Sequence, residues 1–114
     1  MILVFGGLAS GKREYVKNEL GYTDADISED IYGGAPVLYN LHELINTDAD
    51  SERYFDELLK KEVVICNDIS CGIVPLDRAE REKREAVGRL LIRLAAEAKS
   101  VVRIQCGLAQ IIKG

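Results

Sequence analysis

The sequence holds a single histidine, His42, and three cysteines, Cys66, Cys71 and Cys106, no two of which form a C-x-x-C pair. A structural zinc site draws four thiolates and imidazoles from close spacings, so none is expected here. Long hydrophobic runs are also missing. None approaches the ~20 residues that cross a bilayer, and "MILVF" is too short, and lacks a basic start, for the apolar region of a secretory leader. Positive charge is not in excess either. Fifteen Lys and Arg stand against nineteen Asp and Glu, for a net charge of -4, which argues against a broad surface for nucleic acid or membrane. A local cluster of cations can still hold a phosphate. No repeat and no low-complexity linker breaks the chain. The 114 residues therefore predict one domain of a reducing cytoplasm, with Cys66 and Cys106 buried as small hydrophobes.

What is present is a set of short apolar runs separated by helical patterns. "ILVF" (residues 2–5) and "VVIC" (63–66) are apolar through their full width, as buried strands are, and "VVRIQC" (101–106) reads as a last strand. "PVLYNL" (36–41) is a further strand candidate, with Pro36 at its start where a missing N–H is tolerated. "KREYVKNEL" (12–20) reads as a helix stopped near Gly21, and shorter helices are expected around 42–45 and 51–61. The acidic stretch 21–36 reads as a loop. The longest helical pattern starts at Asp77, a candidate N-cap. It carries an apolar stripe at Ala79, Ala86, Val87, Leu90, Leu91, Leu94, Ala95 and Ala98,. Strands alternating with helices predict an α/β fold with a mostly parallel sheet covered on both faces. Such sheets bind ligands beyond the carboxyl ends of their strands.

At one such end stands Gly6-Gly7-Leu8-Ala9-Ser10-Gly11-Lys12, which fits G-x-x-x-x-G-K, a phosphate-binding loop,. Wrapping a phosphate with backbone N–H groups needs unusual dihedrals and close approach, and glycine permits both. The helix opening near Lys12 adds unpaired N–H groups, and Lys12 brings a full positive charge to the outer phosphates. The next position normally carries a hydroxyl for Mg²⁺. Here it is Arg13, which cannot coordinate a cation. Arg13 either pairs with a phosphate or points into water from the first helical turn; in both cases Mg²⁺ loses a protein ligand.

Together with "ILVFGGLASGK", the stretch "NDISCGIVPLDRAEREKREAVGRLLIRLAAEAKSVVRIQCGLAQIIKG" resembles the bifunctional adenosylcobinamide kinase / adenosylcobinamide-phosphate guanylyltransferase family of cobalamin biosynthesis. That family begins with a stretch like GGARSGKS and continues with N-E-x-G-x-G-I-V-P, a long helix and a final strand. Asn67, Gly72, Ile73, Val74 and Pro75 match, as do Gly88 in the long helix and Gly107 after the last strand. Asp68 stands where the family has Glu. The resemblance implies a P-loop NTPase-like fold over residues 1–114, often assembled as a trimer. It also implies a kinase that moves the terminal phosphoryl of ATP or GTP onto the aminopropanol arm of a corrinoid. The family's guanylyl transfer through a histidine is not expected, because the segment carrying that histidine has no counterpart. Asn40 also replaces an acidic residue, and Leu91-Ile92 replace an Asn–Gln pair.

The candidate catalytic residues are thus Lys12 and Asp68. The nucleotide-binding residues are Gly6, Gly7, Leu8, Ala9, Ser10, Gly11, Lys12 and Arg13, and no metal ligand is assigned. Asp68 either acts on a metal or a substrate hydroxyl or caps a turn beside Asn67. His42 is a nucleophile on one reading and a surface or capping residue on the other. Arg78, near the start of the long helix, is a candidate for phosphate contact. Glu80–Arg84 and Glu85–Arg89 are spaced as helical ion pairs. A non-catalytic nucleotide-binding or interaction subunit is the alternative to a kinase.

Overall fold

The computed structural model describes residues 1–7, 9–68 and 77–114. In chain order, β1 (Ile2–Gly6) leads into α1 (Lys12–Asn18), and a 3-10 turn (Asp24–Asp26) precedes β2 (Ile27–Ser28). Then come β3 (Val37–Leu38), α2 (Leu41–Leu44), α3 (Asp48–Leu59), β4 (Val63–Asn67), α4 (Arg78–Glu97), β5 (Ser100–Gln105) and β6 (Leu108–Lys113). The described residues form one six-stranded sheet, ordered β2-β3-β4-β1-β5-β6. All neighbours run parallel except β5 and β6.

The central strands are buried on both sides because alternate residues feed two separate cores. Leu3, Val64, Cys66 and Val101 pack beneath α2, α3 and α4, against Leu41, Leu58, Val87, Leu90 and Leu94. Val4, Val63, Ile65, Val102 and Ile104 face the other way, toward Val16 of α1 with Tyr15 and Leu20 beside it. Helices therefore cover both faces, and the sheet is mixed and mostly parallel, as the apolar runs predict.

Asp77 caps α4, its carboxylate accepting from the Ala79 N–H at 2.8 Å. The expected stripe is buried at Ala86, Val87, Leu90, Leu94 and Ala98 and half-buried at Leu91 and Ala95, whereas Ala79 lies exposed before the helix meets the sheet. Arg89 pairs with Glu85 at 3.9 Å as expected, and more closely with Asp48 of α3 at 2.9 Å.

Three expectations are corrected. The acidic stretch 21–36 is not all loop: Ile27 and Ser28 form an edge strand in register with Val37 and Leu38. The chain after Cys106 forms β6, which returns antiparallel along β5. Cys106 is exposed, not buried. Cys106 and Gly107 have φ of 52° and 76°, so they are the two left-handed residues of a tight hairpin turn, where neither side chain enters a core.

Candidate functional site

β1 is the sheet's pivot. Its helix α1 leaves onto one face, and α4, which follows the neighbouring strand β4, covers the other. Adjacent strands whose helices diverge leave a crevice at their carboxyl ends. Here the crevice opens between Gly6 and Asn67, which are register partners. The Asp68 N–H donates to the Gly6 carbonyl at 2.8 Å and ties the two strand ends together.

The glycine loop starts in that crevice. Gly6 has no room for a side chain: a Cβ there would run into the Ile104 carbonyl and stand 2.9 Å from Ser10 Oγ. Gly11 has φ of 96° and serves as the N-cap of α1, and Ala9 adopts φ of 55°. Two successive departures into left-handed backbone curl the loop back over the strand. The Gly107 N–H, donating to the Ser10 carbonyl at 2.8 Å, ties the loop to the hairpin turn. Among the described residues, none accepts a hydrogen bond from the N–H groups of Gly7, Ala9, Ser10 or Gly11.

Lys12 is buried. Its Nζ donates to the Gly7 carbonyl at 2.6 Å and reaches Ser10 Oγ at 3.4 Å. Burial pulls its pKa below the ordinary lysine value, partly offset by Cys66 and Glu14,. The ammonium thus spans the loop from within. A cavity of about 320 Å³ adjoins the loop, lined by Gly6, Gly7, Ala9, Ser10 and Asp68 from the loop and β4 end, and by Arg103 to Cys106 from β5 and its turn.

Of the residues read as a site from the sequence, Gly6, Gly7, Ala9, Ser10, Gly11, Lys12 and Asp68 come together here. Leu8, Gly72, Ile73, Val74 and Pro75 lie outside the described residues. Arg13 turns away from the loop. Its guanidinium pairs with Asp24 at 2.9 Å and lies 5.3 Å from the centroid of the Tyr39 ring. Arg78 is exposed and pairs with Glu82 at 3.7 Å, on the outer surface of α4. The described residues bring one carboxylate, Asp68, to the cavity, no hydroxyl at position 13, and no group of three His, Cys, Asp or Glu spaced for a metal.

His42 is buried, not a surface residue. Its Nδ1 accepts the Asn67 N–H at 3.2 Å, which leaves the proton on Nε2, 3.3 Å from Glu43,. Burial lowers its pKa, with Glu43 pulling the other way. Cys66 beside it is inert, its thiol pushed up to about 12 by burial,.

Sequence reasoning passed over Arg103. It is exposed on β5, between the buried Val102 and Ile104, and it lines the same cavity as the loop. The signal was available as a lone charge inside an apolar strand.

The family model for cobinamide kinase / cobinamide phosphate guanyltransferase matches residues 37–112, about two thirds of the chain, from β3 through β6. The chain belongs to this family. A comparison with curated proteins gives no match. The family match begins after the glycine loop, so the loop's role rests on its own geometry. Among the described residues, no helix is long and apolar enough to cross a membrane.

Proposed function

We propose that this cobinamide kinase / guanyltransferase family member is a single P-loop NTPase-like domain that binds ATP or GTP at Gly6–Lys12. It transfers the terminal phosphoryl group to the hydroxyl of a cobinamide-like corrinoid in the cytoplasm, and the family resemblance favours a trimer. One observation carries the reading. A curled glycine loop, whose described amides have no acceptor among the described residues, and a buried ammonium sit at the crevice between β1 and β4, where α/β sheets take their ligands,.

In this reading Lys12 leaves the Gly7 carbonyl for the phosphates, and the loop amides hold the oxygens on which charge accumulates. The acceptor oxygen bonds to the terminal phosphorus as the bond to the bridging oxygen breaks. Asp68, at the end of β4, orients the hydroxyl and takes its proton. Guanylyl transfer is not part of the proposal. His42, the sole histidine, has Nδ1 occupied by a backbone N–H and is buried, so neither nitrogen is poised as a nucleophile.

A second reading, nucleotide binding without chemistry, is favoured by Arg13. It occupies the place of a metal-binding hydroxyl and is committed to Asp24 and Tyr39. Calorimetry with ATP and GTP, with and without Mg²⁺, followed by a phosphoryl-transfer assay on cobinamide, separates the two. Binding with transfer supports the kinase, binding without transfer supports the second reading, and no binding overturns both.

A further inference from the structure

Of the eight arginines, five have carboxylate partners among the described residues, and Arg81, Arg84 and Arg103 have none. Arg13 pairs with Asp24, Arg53 with Asp50, Arg78 with Glu82, Arg89 with Asp48, and Arg93 with Glu52. The Arg103 side chain has no hydrogen bond or ion pair with any described residue, and unlike Arg81 and Arg84, which lie on α4, it stands on a regular strand in the middle of a hydrogen-bonded ladder. Its place is unusual in a second way. Val102 and Ile104 on either side are buried in the core beneath α1, so residue 103 faces the α4 side. The register there aligns it with Phe5 of β1 and Gln110 of β6. A guanidinium standing there serves neither core. It borders the cavity whose other walls are Gly6, Gly7, Ser10 and Asp68.

The loop's own cation is constrained in a way that Arg103 is not. Lys12 is buried, hydrogen-bonded to the Gly7 carbonyl and Ser10 Oγ, and discouraged from carrying charge by its burial. A guanidinium keeps its charge under all ordinary conditions. Its planar fork takes two oxygens of one phosphate at once, which an ammonium does not. A loop that gathers phosphates beside Lys12 would present the outer end of a polyphosphate to this cavity.

We propose that Arg103 is the second cation of the phosphate site: it grips the distal phosphates of a nucleoside triphosphate and makes the site discriminate triphosphate from monophosphate. The proposal rests on the reading of Gly6–Lys12 as a phosphate loop and adds to it a residue from the far side of the cavity, on a strand that no phosphate-loop pattern covers. Arg103 takes in cis the place that an arginine supplied from outside takes in other phosphoryl-transfer sites.

The test is calorimetric titration of the full chain with inorganic triphosphate, ATP and AMP at one fixed ionic strength, because phosphate affinities move with salt. Four proteins are compared: wild type, Arg103→Leu, Arg103→Lys and Lys12→Ala. Position 103 is exposed, so Arg103→Leu is expected to fold, and thermal melts check this; Arg103→Lys keeps the test open if the leucine variant melts early. Arg103→Leu is expected to weaken inorganic triphosphate and ATP about tenfold or more, in the range of a charged hydrogen-bonding group. AMP should change less than about twofold by the same scale, and Arg103→Lys should fall between wild type and the leucine variant. Unchanged triphosphate binding in both Arg103 variants, while Lys12→Ala loses it, overturns the role of Arg103 and leaves the phosphate loop standing. Equal weakening of ATP and AMP also overturns it. Unchanged binding in Lys12→Ala as well removes the loop reading on which it depends.

Discussion

Gly6 and Ile104, on neighbouring parallel strands, approach so closely that the carbonyl of Ile104 fills the space a Cβ on Gly6 would need. Ser10 Oγ closes the other side at 2.9 Å. The first glycine of the loop is therefore required by packing. Gly6→Ala must push β1 from β5 or displace the loop, and the expected cost is about 1–3 kcal/mol, the scale of overpacking. Urea denaturation measures it. Gly7→Ala, where a Cβ meets nothing within 4 Å, is the matched control and should cost much less.

The turn from β5 to β6 places Cys106 at φ of 52°. Asparagine tolerates left-handed backbone better than cysteine, and Asn-Gly is a preferred pair for a two-residue hairpin. Cys106→Asn is expected to raise stability by roughly 0.5–1 kcal/mol, the scale of local backbone substitutions. The denaturant midpoint shows the change.

His42 makes stability depend on pH. Burial holds its folded-state pKa below the ordinary value, so the unfolded chain takes up the proton first as the solution is acidified. Its contribution is complete above about pH 6.5, the ordinary imidazole value, and is lost as pH falls from there through the folded-state pKa. His42→Gln keeps an acceptor for the Asn67 N–H and does not titrate. Thermal melts between pH 8 and 5, taken on both proteins, should show a steeper decline in the wild type below about pH 6.5; parallel curves contradict the buried neutral imidazole.

Arg13 can be returned to a hydroxyl. Its pair with Asp24 is exposed, so Arg13→Ser should cost under about 1 kcal/mol of stability. ATP affinity should become more dependent on Mg²⁺ than in the wild type, because the hydroxyl restores a ligand that arginine cannot supply. Titrations with and without Mg²⁺ decide it, and an unchanged metal dependence contradicts this role for position 13.

The parts of the molecule legible in the sequence are those governed by local pattern. Apolar runs marked β1, β4 and β5, the helical stripe marked α4, Asp77 marked its cap, and glycine spacing marked the loop. What escaped depends on partners distant in sequence. Ile27 and Ser28 are strand only because Val37 and Leu38 lie alongside. Residues 108–113 are all exposed, so no buried face announced β6, and the turn signal was a cysteine where asparagine is usual. His42 reads as a surface or capping residue because a lone histidine near a helix start is usually one; its burial comes from β4, reached through Asn67. Arg103 stands in "VVRIQC" as a lone charge, but that it borders the cavity beside the loop follows from the pairing of β5 with β1, which the sequence does not display.

The most direct measurement is the dissociation constant of ATP and GTP for wild type and Lys12→Ala, by calorimetry, with folding of the variant confirmed by its melt. Loss of about tenfold or more in affinity is expected from removing a charged partner of the phosphates. Equal constants in the two proteins would contradict the phosphate cradle at Gly6–Lys12.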